Sequence, residues 1–175
     1  MFTNKIIALS LAIFLASALA HGHAAEKSGV GDAAETWDEI AYFRWQAAHG
    51  HDLQGDARKT AAFTQKAPDD TATPGDKLDR AGDEKYLASQ DYQTATKHWE
   101  KAANNFKSAG DLDKARKAME NADQASQVAR RTLREGIEIH KAAQEYYEAT
   151  NNLEKRTEVL GKIARNLERL TDVKR

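Results

Sequence analysis

The sequence predicts an all-α protein, a set of antiparallel helical hairpins or a bundle with one long central helix. Three features lead there. From Asp76 onward, apolar residues recur at steps of three and four. The whole chain holds only 2 prolines, Pro68 and Pro74, and both lie before that region. Short runs of turn residues, Ala109-Gly110-Asp111 and Asn151-Asn152 among them, punctuate the periodic segments.

Taken in order, residues 1–20 read as an export signal. Lys5 gives a positive start, Ile6 to Leu15 is almost wholly apolar, and Ala18-Leu19-Ala20 supplies the small-x-small pattern of a cleavage site. The apolar run falls short of the roughly 18–20 residues a membrane span needs. Cleavage after Ala20 leaves His21 as the first residue. Cleavage after Ala24, with Gly22 at the −3 position, stays open, whereas a cut after Ala25 would place the bulky His23 there. The expected location is periplasmic or secreted, with no membrane insertion after cleavage.

Residues 21–75 read as an N-terminal segment with one or two short helices and a proline-containing linker. Trp37, Ile40, Ala41, Arg44, Trp45 and Ala48 share a helical face, and Gly50 marks a helix end near His49. A second helix is expected from about Asp56 to Lys66. The stretch "QKAPDDTATPGDK" is the linker. Two tryptophans on one helix are a large apolar load. They either dock on the C-terminal region or, with Tyr42, form a partner-binding surface.

Residues 76–175 read as the helical bundle. Tyr92, Ala95, Trp99, Ala102, Phe106 and Ala109 form one stripe, which Ser89-Gln90-Asp91 opens as a helix start. Leu112, Ala115, Met119, Ala122, Ser126, Ala129, Leu133, Gly136, His140, Ala143, Tyr147 and Thr150 form the next. The segment from Asp111 to Thr150 is either one helix or two broken near Arg130–Arg134, and its unbroken heptad phase favours one. Leu153, Leu160, Ile163, Leu167 and Leu170 give the last stripe. Such heptads pack between chains as well as within one, so a homo-oligomer is possible.

The stretch "YLASQDYQTATKHWEKAANNFKSAGDLDKARKAMENA" resembles tetratricopeptide-type helical hairpins, in particular the longer-helix form of vesicle-fusion attachment proteins. Gln90-Asp91-Tyr92 and Gly110-Asp111-Leu112 carry the likeness, each followed by a small residue, Ala95 and Ala115. It covers roughly residues 80–125, with turns about 20 residues apart where the ordinary repeat has a period of 34. The resemblance implies a helical scaffold that binds protein segments.

Chemistry is sparse. The formal charge is −1, and removing residues 1–20, which hold Lys5 and no carboxylate, takes it to about −2. That balance argues against a nucleic-acid partner. There is no cysteine for a thiolate or disulfide. Phosphate-binding glycine loops, nucleophile elbows and paired-histidine zinc motifs are missing from the sequence, so no catalytic residue and no enzyme activity is expected. Carboxylates interleaved with Lys and Arg, as in "DLDKARKAMENAD", read as a solvated helix face. His140 falls on an apolar stripe and reads as a hydrogen-bonded core residue.

Four of the 6 histidines sit in two His-Gly-His copies, His21/His23 and His49/His51. A free amine, two amide nitrogens and the imidazole of His23 would suit Cu(II) or Ni(II). The leading expectation is an exported, non-enzymatic helical scaffold or adaptor that binds another protein, with Trp37, Tyr42 and Trp45 as candidate contacts. The alternative is a periplasmic copper- or nickel-binding protein.

Overall fold

The computed structural model describes residues 29–64 and 71–172, and every described element is an α-helix. These are α1 (Val30–Phe63), α2 (Pro74–Ser108), α3 (Leu112–Ala149) and α4 (Leu153–Asp172). The all-α bundle is as expected, and residues 112–149 form one unbroken helix.

The helix ends show why the chain turns where it does. Thr73 and Asp76 form a reciprocal capping box: the Thr73 hydroxyl accepts from the Asp76 amide at 3.1 Å, and Asp76 accepts from the Thr73 amide at 3.1 Å. Pro74 takes the first helical position, where its missing N–H removes no hydrogen bond. At the end of α2, Gly110 adopts φ 82°, and the amides of Asp111 and Gly110 donate to the carbonyls of Phe106 and Lys107. Asp111 then caps α3 by accepting from the Lys114 amide at 3.0 Å. Asn151 (φ 55°) and Asn152 repeat this device between α3 and α4. Turns this short make successive helices antiparallel.

Two expected interruptions are absent. Gly50 lies inside α1, so the expected helix end there and the separate helix from Asp56 are replaced by a single helix; Lys66 lies outside the described residues. Ser89-Gln90-Asp91 lies inside α2. The Ser89 hydroxyl donates to the Ala129 carbonyl at 2.9 Å across to α3 rather than capping a helix start. One of the two helix openings that carry the tetratricopeptide likeness is thus mid-helix. Of the linker, residues 65–70 with Pro68 fall outside the described residues.

Side-chain packing forms two compact units, through both of which α1, α2 and α3 run. Among the described residues, the first comprises 29–47 and Asp91–Ser126. Its core is Trp99 and Phe106 set among Ala34, Ala41, Ala95, Ala102, Ala118, Ala122 and Ala125. Small residues on neighbouring helices let the backbones approach and leave room for the large rings. Within α3 the core side starts at Ala118, while Leu112 and Met119 of the expected stripe are exposed.

Among the described residues, the second unit comprises 48–64, 71–90 and 127–172. Leu78, Leu133, Ile137, Ala143, Tyr147, Val159 and Ile163 form its core. On α4 the buried face is Val159, Ile163 and Asn166. Leu153, Leu160 and Leu167, expected in the packing stripe, face solvent instead.

Candidate functional site

In the first unit, the tryptophans dock on α2. Trp45 meets Tyr92 edge-on at 4.8 Å and Trp99 at 5.8 Å, and Trp37 stacks on His98 at 5.1 Å with the Lys101 ammonium 4.5 Å from its ring centre. Both indoles stay half-buried. Tyr42 and its neighbour Phe43 are exposed and meet edge-on at 6.4 Å. Of the three expected contacts, therefore, only Tyr42 is mainly open to solvent. Phe43 was not foreseen, although adjacent aromatics on an amphipathic helix place at least one ring off the core face.

His21 and His23 lie outside the described residues. His49 and His51 are two positions apart on a continuous helix, so their side chains diverge. His51 bonds Glu84 at 2.9 Å, while His49 is exposed. This pair does not converge on a shared ion.

The second unit contains polar clusters that the sequence reading assigned to no site. Lys85 is 1 % exposed, with its ammonium 2.6 Å from Asp52, 2.6 Å from Asp56 and 3.3 Å from Glu135. Gly55 and Gly136 admit its stem, since a Cβ at either would crowd the Lys85 carbons at 3.0–3.1 Å. Burial alone would lower the Lys85 pKa, but the bonds and charge of Asp52 and Asp56 outweigh it and raise it. The cleft beside it is lined by Lys59, Arg131 and Arg134 together with Asp56, Glu135 and Glu138, a mixture that favours no one sign of ligand.

A second cluster joins α2, α3 and α4. Asp79 and Asp83 are one turn apart on α2. Lys162 from α4 bridges them, with Nζ 2.8 Å from both Asp79 oxygens and 2.9 Å from Asp83 Oδ2. His140 from α3 lies over Gly82, where a Cβ would overlap the imidazole. Its Nε2 stands 3.3 Å from Asp83 Oδ1 and 3.5 Å from Asp79 Oδ1, without the alignment of a hydrogen bond. Its Nδ1 faces the Asn166 amide at 3.5 Å. Burial pushes the Asp83 carboxyl up, but His140 and Lys162 outweigh that and hold it below the usual range. The same two carboxylates raise Lys162 against the opposing effect of its burial.

A third cluster ties the end of this unit. Asp76 accepts from Lys155 at 2.8 Å and from the Tyr147 hydroxyl at 2.9 Å. Lys155, with the Thr73 and Tyr147 bonds, holds Asp76 well below the usual carboxylate range despite some desolvation. Burial, aided by Asp76, raises the Tyr147 phenol.

The one available signal for these clusters was polar residues falling at core phase. Lys85 lies four residues after Ala81, and Asn166 three after Ile163, on faces whose neighbours are buried. The carboxylates of "DLDKARKAMENAD" do lie on a solvated face. No helix among the described residues is long and apolar enough to cross a membrane. Comparison with protein families, with curated proteins and with solved structures gives no match.

Proposed function

We propose that the chain is an exported, non-enzymatic helical scaffold that docks a helical segment of another protein on the solvent face of α4. The observation that carries this is the leucine row Leu153, Leu160 and Leu167. These residues are 61, 44 and 47 % exposed at seven-residue spacing, with the small Thr157 and Ala164 between them. Large residues alternating with small ones form knobs and holes for a second helix whose own apolar residues recur every three or four positions. The buried face of α4 is already committed to Val159 and Ile163, so this row is a second apolar face on one helix. Because each leucine is only about half exposed, covering it with a partner contributes about 1 kcal/mol. The resemblance to tetratricopeptide-type hairpins points to the same class of role. The compartment rests on Lys5, the apolar run and Ala18-Leu19-Ala20.

Affinity capture from a periplasmic extract with wild type, Leu160→Glu and Tyr42→Ala tests the reading. A protein held by wild type and lost with Leu160→Glu, whose helicity stays unchanged, supports it. Capture that survives Leu160→Glu but fails with Tyr42→Ala would move the surface to α1. Recovery of no specific protein would sink the proposal. Mass spectrometry of the exported protein should show His21 as its first residue, and a chain retaining Met1 would remove the exported part.

A further inference from the structure

We infer that Asp79, Asp83 and His140 form a binding site for a divalent transition cation of the Zn(II) type, in competition with the Lys162 ammonium. Their candidate ligand atoms all lie within 4.8 Å of one another. The distances are informative. Bonds of about 2.0–2.2 Å to a tetrahedral ion set ligand–ligand edges of about 3.3–3.6 Å. His140 Nε2 stands 3.3 and 3.5 Å from the two aspartates, longer than a good hydrogen bond and within that edge range.

A second observation concerns the imidazole itself. His140 is 1 % exposed, and its Nε2 is aimed at both carboxylates at ion-pair distance without the alignment of a good hydrogen bond to either. A buried nitrogen so poorly aligned to its partners is under-satisfied, and coordination would satisfy it. The outer shell fits as well. A ligating histidine donates its other ring N–H to an acceptor; Asn166 Nδ2 faces His140 Nδ1 at 3.5 Å, and turning that amide would bring Oδ1 there to accept.

Charge favours the exchange. Two carboxylates against one ammonium leave the cluster a net negative charge, which a divalent ion would cancel. Lys162 has somewhere to go: Glu158 lies 3.7 Å from its ammonium on the same helix, and its four-carbon stem is flexible. Asp83 is half exposed, which gives an ion a way in. One imidazole and two carboxylates with no thiolate suit Zn(II), with the place of the Lys162 ammonium left for water.

The test is Zn(II) titration by calorimetry on the full chain carrying His21→Ala and His23→Ala, which removes the terminal imidazoles. One equivalent is expected to bind, at least tenfold more weakly with Asp83→Asn or His140→Ala and at least tenfold more tightly with Lys162→Met. Tightening on loss of a lysine is the signature, because a merely structural ion-pair cluster would instead lose stability without gaining metal. Binding unchanged by Asp83→Asn and His140→Ala would overturn the inference, as would no binding to Lys162→Met. Should His140→Ala fail to fold, imidazole nitrogen NMR on the unsubstituted cluster decides. Zn(II) must shift His140 Nε2, and an unmoved resonance at saturating metal overturns it.

Discussion

At the scale of single residues, the same residue type does opposite things in different settings. Gly110 sits in the left-handed region, where an added Cβ costs roughly 1–2 kcal/mol. Gly161 lies in the interior of α4, and a Cβ there would meet only Arg165 Nη1 at 3.6 Å. Gly110→Ala should therefore destabilise by about 1 kcal/mol and Gly161→Ala stabilise by about 0.5–1 kcal/mol. Urea midpoints of the two variants check this, and a shift of equal sign would contradict it. Lys85 makes a sharper case. Methionine keeps the stem between Gly55 and Gly136 but leaves Asp52 and Asp56 without the Lys85 ammonium and Glu135 with Arg131 alone. Removing one partner of a buried pair costs 3–5 kcal/mol, and the exposure of Asp56 and Glu135 places Lys85→Met near about 3 kcal/mol. Chemical denaturation that finds under 1 kcal/mol would show the network to be dispensable.

At the scale of elements, what was legible followed from local backbone chemistry. The turns at Gly110 and Asn151 were readable because left-handed residues and side-chain caps leave a plain signature in sequence. Gly50 misled for the converse reason. A glycine inside a helix costs only about 1 kcal/mol, which packing of the helix on both sides of it offsets, so α1 continues through it. The phase of α4 was misread because leucine heptads look alike whether they face inward or outward. The true core face carries Lys162 and Asn166, polar residues bound to Asp79, Asp83 and His140, and these hid it. The clusters themselves join residues up to 83 positions apart, so no local pattern could assemble them. This assignment of faces predicts a contrast. Ile163→Ala should cost about 2–4 kcal/mol through the cavity it leaves. Leu160→Ala should change stability by less than about 0.5 kcal/mol. Equal losses in thermal unfolding would return Leu160 to the core.

At the scale of the whole molecule, the two units are held by different physics. All 3 tryptophans belong to the first, in an alanine-rich apolar core, whereas Asp76, Asp83, Lys85 and Lys162 belong to the second. Asp76 and Asp83 both have depressed folded pKa values. The stability they contribute is therefore complete above the unfolded value near 3.9 and is lost as pH falls through the folded ones. Lys85 and Lys162 are raised, so their contribution is complete below about 10.4 and is lost only as pH climbs through the folded values. Both limbs act on the second unit. As pH falls from about 4 toward the folded values it should open progressively while the tryptophan core persists, because local unfolding follows the weakest set of contacts. Helical circular dichroism should then fall at a higher pH than tryptophan emission changes. Asp76→Asn, which cannot ionise, should destabilise the protein at pH 7 by about 1–3 kcal/mol and differ less and less from wild type as pH drops below 4. Coincident acid transitions by the two probes would show one cooperative unit instead, since a single two-state transition has no probe dependence.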